Sequence, residues 1–179
     1  MSARRGLPAG GAAVDHSPGR LESHEQTDTT SQRIRTVREL EALGAEVLVL
    51  PANAGVRADM ERVAFEARKR FGTVNGVFHA AGVPGGAFMQ LLSREAALDV
   101  LASKVDGTII LDSLFPESEL DLLVLFSSIN AIVGVAGATD YTAANIFLDS
   151  FANASNSASR RVLSINWDAW HEVGMAAAR

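Results

Sequence analysis

Apolar positions along the chain recur in two rhythms, one helical and one of short buried strands, and the two alternate from Arg33 onward. Arg33 to Leu43 has helical spacing, Glu46 to Leu50 reads as a strand, Arg57 to Phe71 as a helix and Asn75 to Ala80 as a strand. From Ser93 to Leu114 the spacing predicts a longer helix, with Ser93 as its N-cap and a stripe of Val100, Leu101, Val105, Thr108, Ile109 and Leu111. Asp121 to Ser128, DLLVLFSS, is a continuous apolar run suited to a strand buried on both faces of a parallel sheet. A helix from about Asp140 and a strand from Val162 to Trp167 complete the series. Strands alternating with helices predict an α/β fold, a parallel sheet covered by helices. Residues 1–32 break this pattern: they are rich in Gly, Ser, Thr, Asp and His, with few large apolar side chains. They read as a linker or disordered segment, which leaves 33–179 as the part that folds.

Four polar residues interrupt the apolar stripes. Lys104 falls on the edge of its helical stripe, three residues after Leu101 and four before Thr108. Tyr141 and Asn145 are four apart, so they share one helical face, and that face continues through Leu148 and Ala152. Ser128 stands at the carboxyl end of its strand, where open α/β sheets form their ligand crevice. Taken singly, each has a plain structural reading. The lysine stem can snorkel, the serine can end a strand, the tyrosine can pack with its hydroxyl bonded, and the asparagine can bond a backbone carbonyl.

Composition narrows the setting. The chain has 179 residues, 47% of them hydrophobic, a net charge of −5 and no cysteine, so no disulfide framework is available. No basic cluster suggests nucleic acid, and an acidic surface repels a phosphate backbone. The uncharged run Leu122 to Thr139 is long enough to raise a membrane span, but its serines, Asn130 and glycines fit a strand and loop better. MSARRGLPAGG has no apolar segment of signal-peptide type, so the expected location is the cytoplasm.

Taken jointly, the spacings are specific: Tyr141 follows Ser128 by 13 positions and Lys104 by 37, with Asn145 four further on. This set resembles the short-chain dehydrogenase/reductase superfamily. With the lysine upstream and the asparagine after the tyrosine, it is similar to the ketoreductase domains of modular polyketide synthases. Val77 to Gly82 resembles their strand-end HAAG, and Lys104 to Thr108 their KVxGT. Tyr141 to Asp149 resembles their YxAANxFLD, and Ser164 to Trp170 their closing strand and the start of the substrate lid. The resemblance covers roughly 33–179 and implies a Rossmann-like, doubly wound parallel sheet. It also implies NADPH-dependent reduction of a β-ketone tethered to an acyl carrier protein. In that reading Tyr141 is the proton donor, Lys104 the cation beside it, Ser128 the hydrogen bond to the substrate oxygen, and Asn145 a holder of the lysine or of a relay water. A tyrosine ordinarily keeps its proton to about pH 10, which is why such a donor needs a neighbouring cation. The resemblance further places His79, Ala80, Ala81 and Gly82 at the cofactor and Trp170, Gly174 and Met175 in the lid. No metal is implied.

The family's pattern is incomplete here. Its sheet opens with a strand and a glycine-rich turn that lets the backbone approach a pyrophosphate, and this sequence has no such turn. The glycines near 82–86 and 134–137 read as loops. Arg4 to Pro8 resembles the segment after the family's second strand and would set Arg4 near the 2′-phosphate of NADPH. The expected sheet therefore lacks its first two strands and its last. In the strand order 3-2-1-4-5-6 that gap leaves the Glu46 strand without neighbours, so the expectation is a piece of a larger synthase, relying on the missing part, or a decayed reading frame. Asn53 stands where the family has an adenine-binding aspartate. No Leu-Asp-Asp follows the HAAG, and no tryptophan precedes Tyr141, which leaves the product configuration open. A reductase domain, a catalytically silent structural remnant and, more weakly, a nucleotide-sugar epimerase or dehydratase relative all stand. The last would call for lysine at position 145.

Overall fold

The computed structural model describes residues 29–170, and the chain divides into two compact units, Met1–Pro51 and Ala52–Arg179. In the first, helix α1 spans Thr29–Ala42. It starts at Thr29 rather than Arg33, inside the stretch expected to be linker, since Thr29 to Gln32 contain no glycine or proline to stop a helix. Gly44 ends it with φ of 91°. The Ala45 amide donates to the Leu40 carbonyl at 3.1 Å and the Gly44 amide to Glu41 at 2.9 Å, a Schellman closure. Glu46 to Leu50 does not form the expected strand. A parallel strand exists only by pairing along its length, and the described sheet contains no neighbour for this one.

The second unit carries α2 (Arg57–Phe71), β1 (Gly76–His79), α3 (Arg94–Leu101), a π-helical turn (Ala102–Asp106) and α4 (Gly107–Leu114). It continues with β2 (Leu122–Ser128), the short α5 (Asn130–Val133), α6 (Thr139–Ser155) and β3 (Arg161–Trp167). The strands form one parallel sheet in the order β1-β2-β3, with Val77 opposite Leu123 and Leu123 opposite Val162. This is the Rossmann-like α/β architecture in the incomplete form the sequence suggests.

The expected helix from Ser93 is present as α3, the π-turn and α4 in succession, and the Ser93 side chain caps it by accepting from the Ala96 amide at 3.1 Å. The core lies on one face of the sheet. Leu123, Leu125 and Val162 pack with Ala64 of α2, Leu111 of α4, and Leu148 and Ala152 of α6. Two arginines tie the helices at the strand-entry end. Arg68 reaches the Leu114 carbonyl at 2.7 Å and Glu119 at 2.8 Å, and the buried Arg160 pairs with Asp112 at 2.7 Å. The apolar run from Leu122 resolves into β2, α5 and a loop. Among the described residues no helix is long and apolar enough to cross a membrane.

Candidate active site

A cleft of about 470 Å³ opens at the carboxyl ends of the three strands. Ala80 and Gly82 line it from the segment after β1, Ser127 and Ser128 from β2, and Trp167 and Trp170 from β3 and beyond. Lys104 comes from the π-turn and Tyr141 from the first turn of α6. Residues 37 and 13 positions apart thus share one cavity because parallel strands and their crossover helices bring every strand end to the same side. Much of the remaining wall is apolar, from Phe126, Ile129, Val135 and Ala138.

Lys104 is the most constrained member. Only 3% of it is exposed, and its Nζ donates to the Phe126 carbonyl at 2.7 Å. The ammonium lies 5.8 Å from the centre of the Tyr141 ring. Burial lowers its pKa from 10.5 to about 8, because the charged form loses water and gains a single carbonyl in return. Gly82 makes room for the stem: a Cβ there would meet Lys104 Cε at 3.2 Å.

Ser128 is buried, and its Oγ accepts from the Asn130 amide at 3.3 Å. Behind it Asn166 donates to the Ser128 carbonyl at 3.2 Å and to Asp149 at 2.8 Å, while Ser127 Oγ donates to the Asn145 carbonyl at 3.2 Å. These bonds fix the end of β2 against α6 and β3. Asn145 is fully buried and donates to the Tyr141 carbonyl at 2.7 Å, one turn back. Its amide therefore braces the turn that carries the tyrosine, and the lysine is held by Phe126 instead. Asn145 Oδ1 is buried with no partner among the described residues.

Of the other residues singled out in the sequence, Trp170 packs edge-on against Trp167 at 5.2 Å and is half-exposed at the cleft mouth. Ala81 is not among the lining residues. Asn53 lies away from the cleft with its amide oxygen taken by the Gly55 amide at 2.9 Å, forming a local turn. His79 is buried beneath the π-turn rather than lining the cavity. Arg4, Gly174 and Met175 lie outside the described residues. Sequence reasoning passes over Phe126, whose carbonyl holds the lysine, and Asn166, which braces Ser128. Their signal is positional, since both sit within two residues of a strand's carboxyl end.

The KR domain family model matches residues 18–172. This chain belongs to the KR domain family, the short-chain dehydrogenase/reductase-type ketoreductase domains of polyketide synthases. It is 33% identical over 180 residues to a 6-methylsalicylic acid synthase from Arthrobotrys oligospora, covering 99% of this chain and 10% of that protein. It is 41% identical over 139 residues to erythronolide synthase EryA3 from Saccharopolyspora erythraea, covering 77% of this chain and 4% of the synthase. Among solved structures, the ketoreductase from the first module of phoslactomycin biosynthesis in Streptomyces sp. HK803 superimposes with a TM-score of 0.74 at 31% identity. That match covers 84% of this KR chain and 34% of the solved one. The KR chain thus spans at most a tenth of the first curated relatives it matches and about a third of the solved domain.

The family generally uses NADP(H). The described residues suit the reacting end of such a cofactor, because the cleft joins Lys104 and Tyr141 to the Ala80–Gly82 segment at the end of β1. For the diphosphate end the sequence supplies no glycine-rich turn between a strand and a helix.

Proposed function

We propose that this KR chain carries the proton-delivery half of an NADPH-dependent β-ketoacyl reductase acting on substrates tethered to an acyl carrier protein, in the cytoplasm. The observation that carries the reading is the buried Lys104, held with its ammonium toward the Tyr141 ring in the cleft that Ser128 also lines. When bound, NADPH would supply the hydride to the ketone carbon; Ala80, Ala81, Gly82 and Lys104 would face it, and Arg4 and Asn53 would contribute at its adenosine end. The chain's own residues do the rest. Ser128 hydrogen-bonds the carbonyl oxygen as charge builds on it, and Tyr141 gives that oxygen its proton, turning C=O into C–OH. Lys104 stands beside the ring as the proton leaves, and Asn145, whose Oδ1 is buried with no partner among the described residues, would hold the water that relays the replacement proton. Trp170, with Gly174 and Met175, would close over the acyl chain.

The test is reduction of a β-ketothioester by the purified chain, monitored by loss of NADPH absorbance, with Tyr141→Phe beside it. Loss of about 10² to 10⁴ in turnover is expected in the variant, and undiminished reduction by it would sink the assignment. A second reading is a structural remnant without catalysis. Saturable, NADPH-selective binding counts against that alternative.

A further inference from the structure

Tyr141, Asn145 and Asp149 recur every four residues on α6, so they follow one another along the same side of that helix. On β3, Ser164 and Asn166 share the orientation of Val162, which packs against α6 in the core. The Asn166 side chain stands where these two rows meet the end of β2. Its Nδ2 is 2.8 Å from Asp149 Oδ2, 3.2 Å from the Ser128 carbonyl and 3.3 Å from Ser127 Oγ. A carboxylate and a carbonyl only accept, so it is the NH2 of the amide that faces them, and its two hydrogens serve three acceptors. The shortest of these bonds goes to Asp149, and the Ser128 carbonyl and Ser127 Oγ share the other hydrogen. Asp149 is itself fixed, because Ser164 Oγ donates to its other oxygen at 2.5 Å. Ser127 passes the tie onward: its hydroxyl donates to the Asn145 carbonyl at 3.2 Å, and the Asn145 amide donates to the Tyr141 carbonyl at 2.7 Å.

From this geometry we infer that Asn166 is a positioning residue for both Ser128 and Tyr141, a single amide, oriented by the Asp149 carboxylate, that locks the end of β2 to the tyrosine-bearing turn of α6. It is not among the residues lining the cleft, so it acts through the two that are. Strand β2 ends at Ser128, and a backbone bond from the Ile129 amide to the Trp167 carbonyl, at 2.9 Å, holds the chain to β3 there. Asn166 adds a side-chain bond at the same point. Ser128 Oγ accepts from the Asn130 amide, which leaves the hydroxyl hydrogen to donate to a substrate oxygen in the cleft. The aim of that hydrogen follows the backbone that Asn166 grips. A hydrogen bond to a charged group is about twice as strong as one between neutral groups, so a carboxylate orients the Asn166 amide more firmly than a neutral partner would. This inference rests on the reductase reading for what the serine and the tyrosine do, but not for how they are held.

The test uses the whole chain with Asn166→Ala, Asn166→Asp and the exchange pair Asp149→Asn with Asn166→Asp. It reads steady-state reduction of a β-ketothioester, stability in denaturant, and hydrogen exchange of the Asn130 amide by NMR. Asn166→Asp keeps the size of the side chain but sets two carboxylates face to face, so it should lose both stability and turnover. In the exchange pair the amide and the carboxylate change places: the tie between β3 and α6 returns, and stability with it, but no donor faces the Ser128 carbonyl. In all three, kcat should fall about 10- to 100-fold with KM for NADPH unchanged, and the Asn130 amide should exchange faster. Recovery of kcat together with stability in the exchange pair overturns the inference, because packing alone would then suffice. Full kcat in Asn166→Ala overturns it too, as does a raised KM for NADPH at full kcat. If the unaltered chain reduces no ketone, the reductase reading fails, and Asn130 exchange still decides: an unchanged rate in all three variants removes the role of Asn166.

Discussion

The two faces of the three-stranded sheet are built to different standards. On the helix-covered face Leu123, Leu125 and Val162 are fully buried or nearly so, in contact with α2, α4 and α6. His79, which shares the orientation of Val77 along β1, is buried as well. On the opposite face Phe78, Val124 and Leu163 stand in one row across the strands. Phe78 is 65% exposed and Leu163 is 41% exposed. The finished face is the one whose helices carry Lys104 and Tyr141, so the machinery for moving a proton is supported by packing. Between Phe78 and Leu163, Val124 is only 3% exposed, so the apolar exposure on the opposite face lies on the two outer strands.

Mutation can break this contrast. Leu125→Ala removes a fully buried side chain from the finished face and should cost about 2 to 5 kcal/mol in chemical denaturation. Lys104→Met should act in the opposite direction: it relieves the burial of an ammonium and raises stability at pH 7 by about 1 to 3 kcal/mol, while ketone reduction collapses. Such a gain in stability with loss of activity would mark the lysine as held for chemistry.

The pH dependence sharpens the same point. Lys104 has a folded pKa of about 8 against 10.5 in the unfolded chain. Below pH 8 both states carry the proton and the folded state bears the full cost of burying the charge. Between pH 8 and 10.5 the unfolded chain binds more protons, so stability rises with pH, by about 3 kcal/mol in total. Denaturation midpoints across that range should show this rise in the native chain and lose it in Lys104→Met. Phe78→Ser, on the open face, should change stability by no more than about 0.5 kcal/mol, and a larger loss would mean that this face is packed.

How much the sequence disclosed depends on how local each signal is. The Ser93 cap, β2 and the Tyr141 helix rest on periodicity and short-range bonds, and they form close to where the pattern places them. Glu46 to Leu50 has strand composition, but a strand depends on distant neighbours, and it is not part of the described sheet. The π-turn adds a residue and shifts the stripe after it, so that Ile110 is buried where even spacing places Ile109, which is 48% exposed; the glycine at 107 inside a helical run is the trace of that turn. A strand-end motif suggests a place at the cofactor for His79, whereas alternation along β1 turns its ring under the helix. For Asn145 the expected role is to hold the lysine or a relay water, and its amide goes instead to the carbonyl four residues back, the commonplace alternative for an asparagine inside a helix.

The central claim is that Lys104 is held buried beside Tyr141 as a poised cation, and the most direct measurement is the titration of its side-chain carbons by NMR in the unaltered chain. The account predicts a midpoint of about 8, with the Tyr141 ring signals shifting through the same transition. A midpoint above about 10, the range of a solvated lysine, would contradict it.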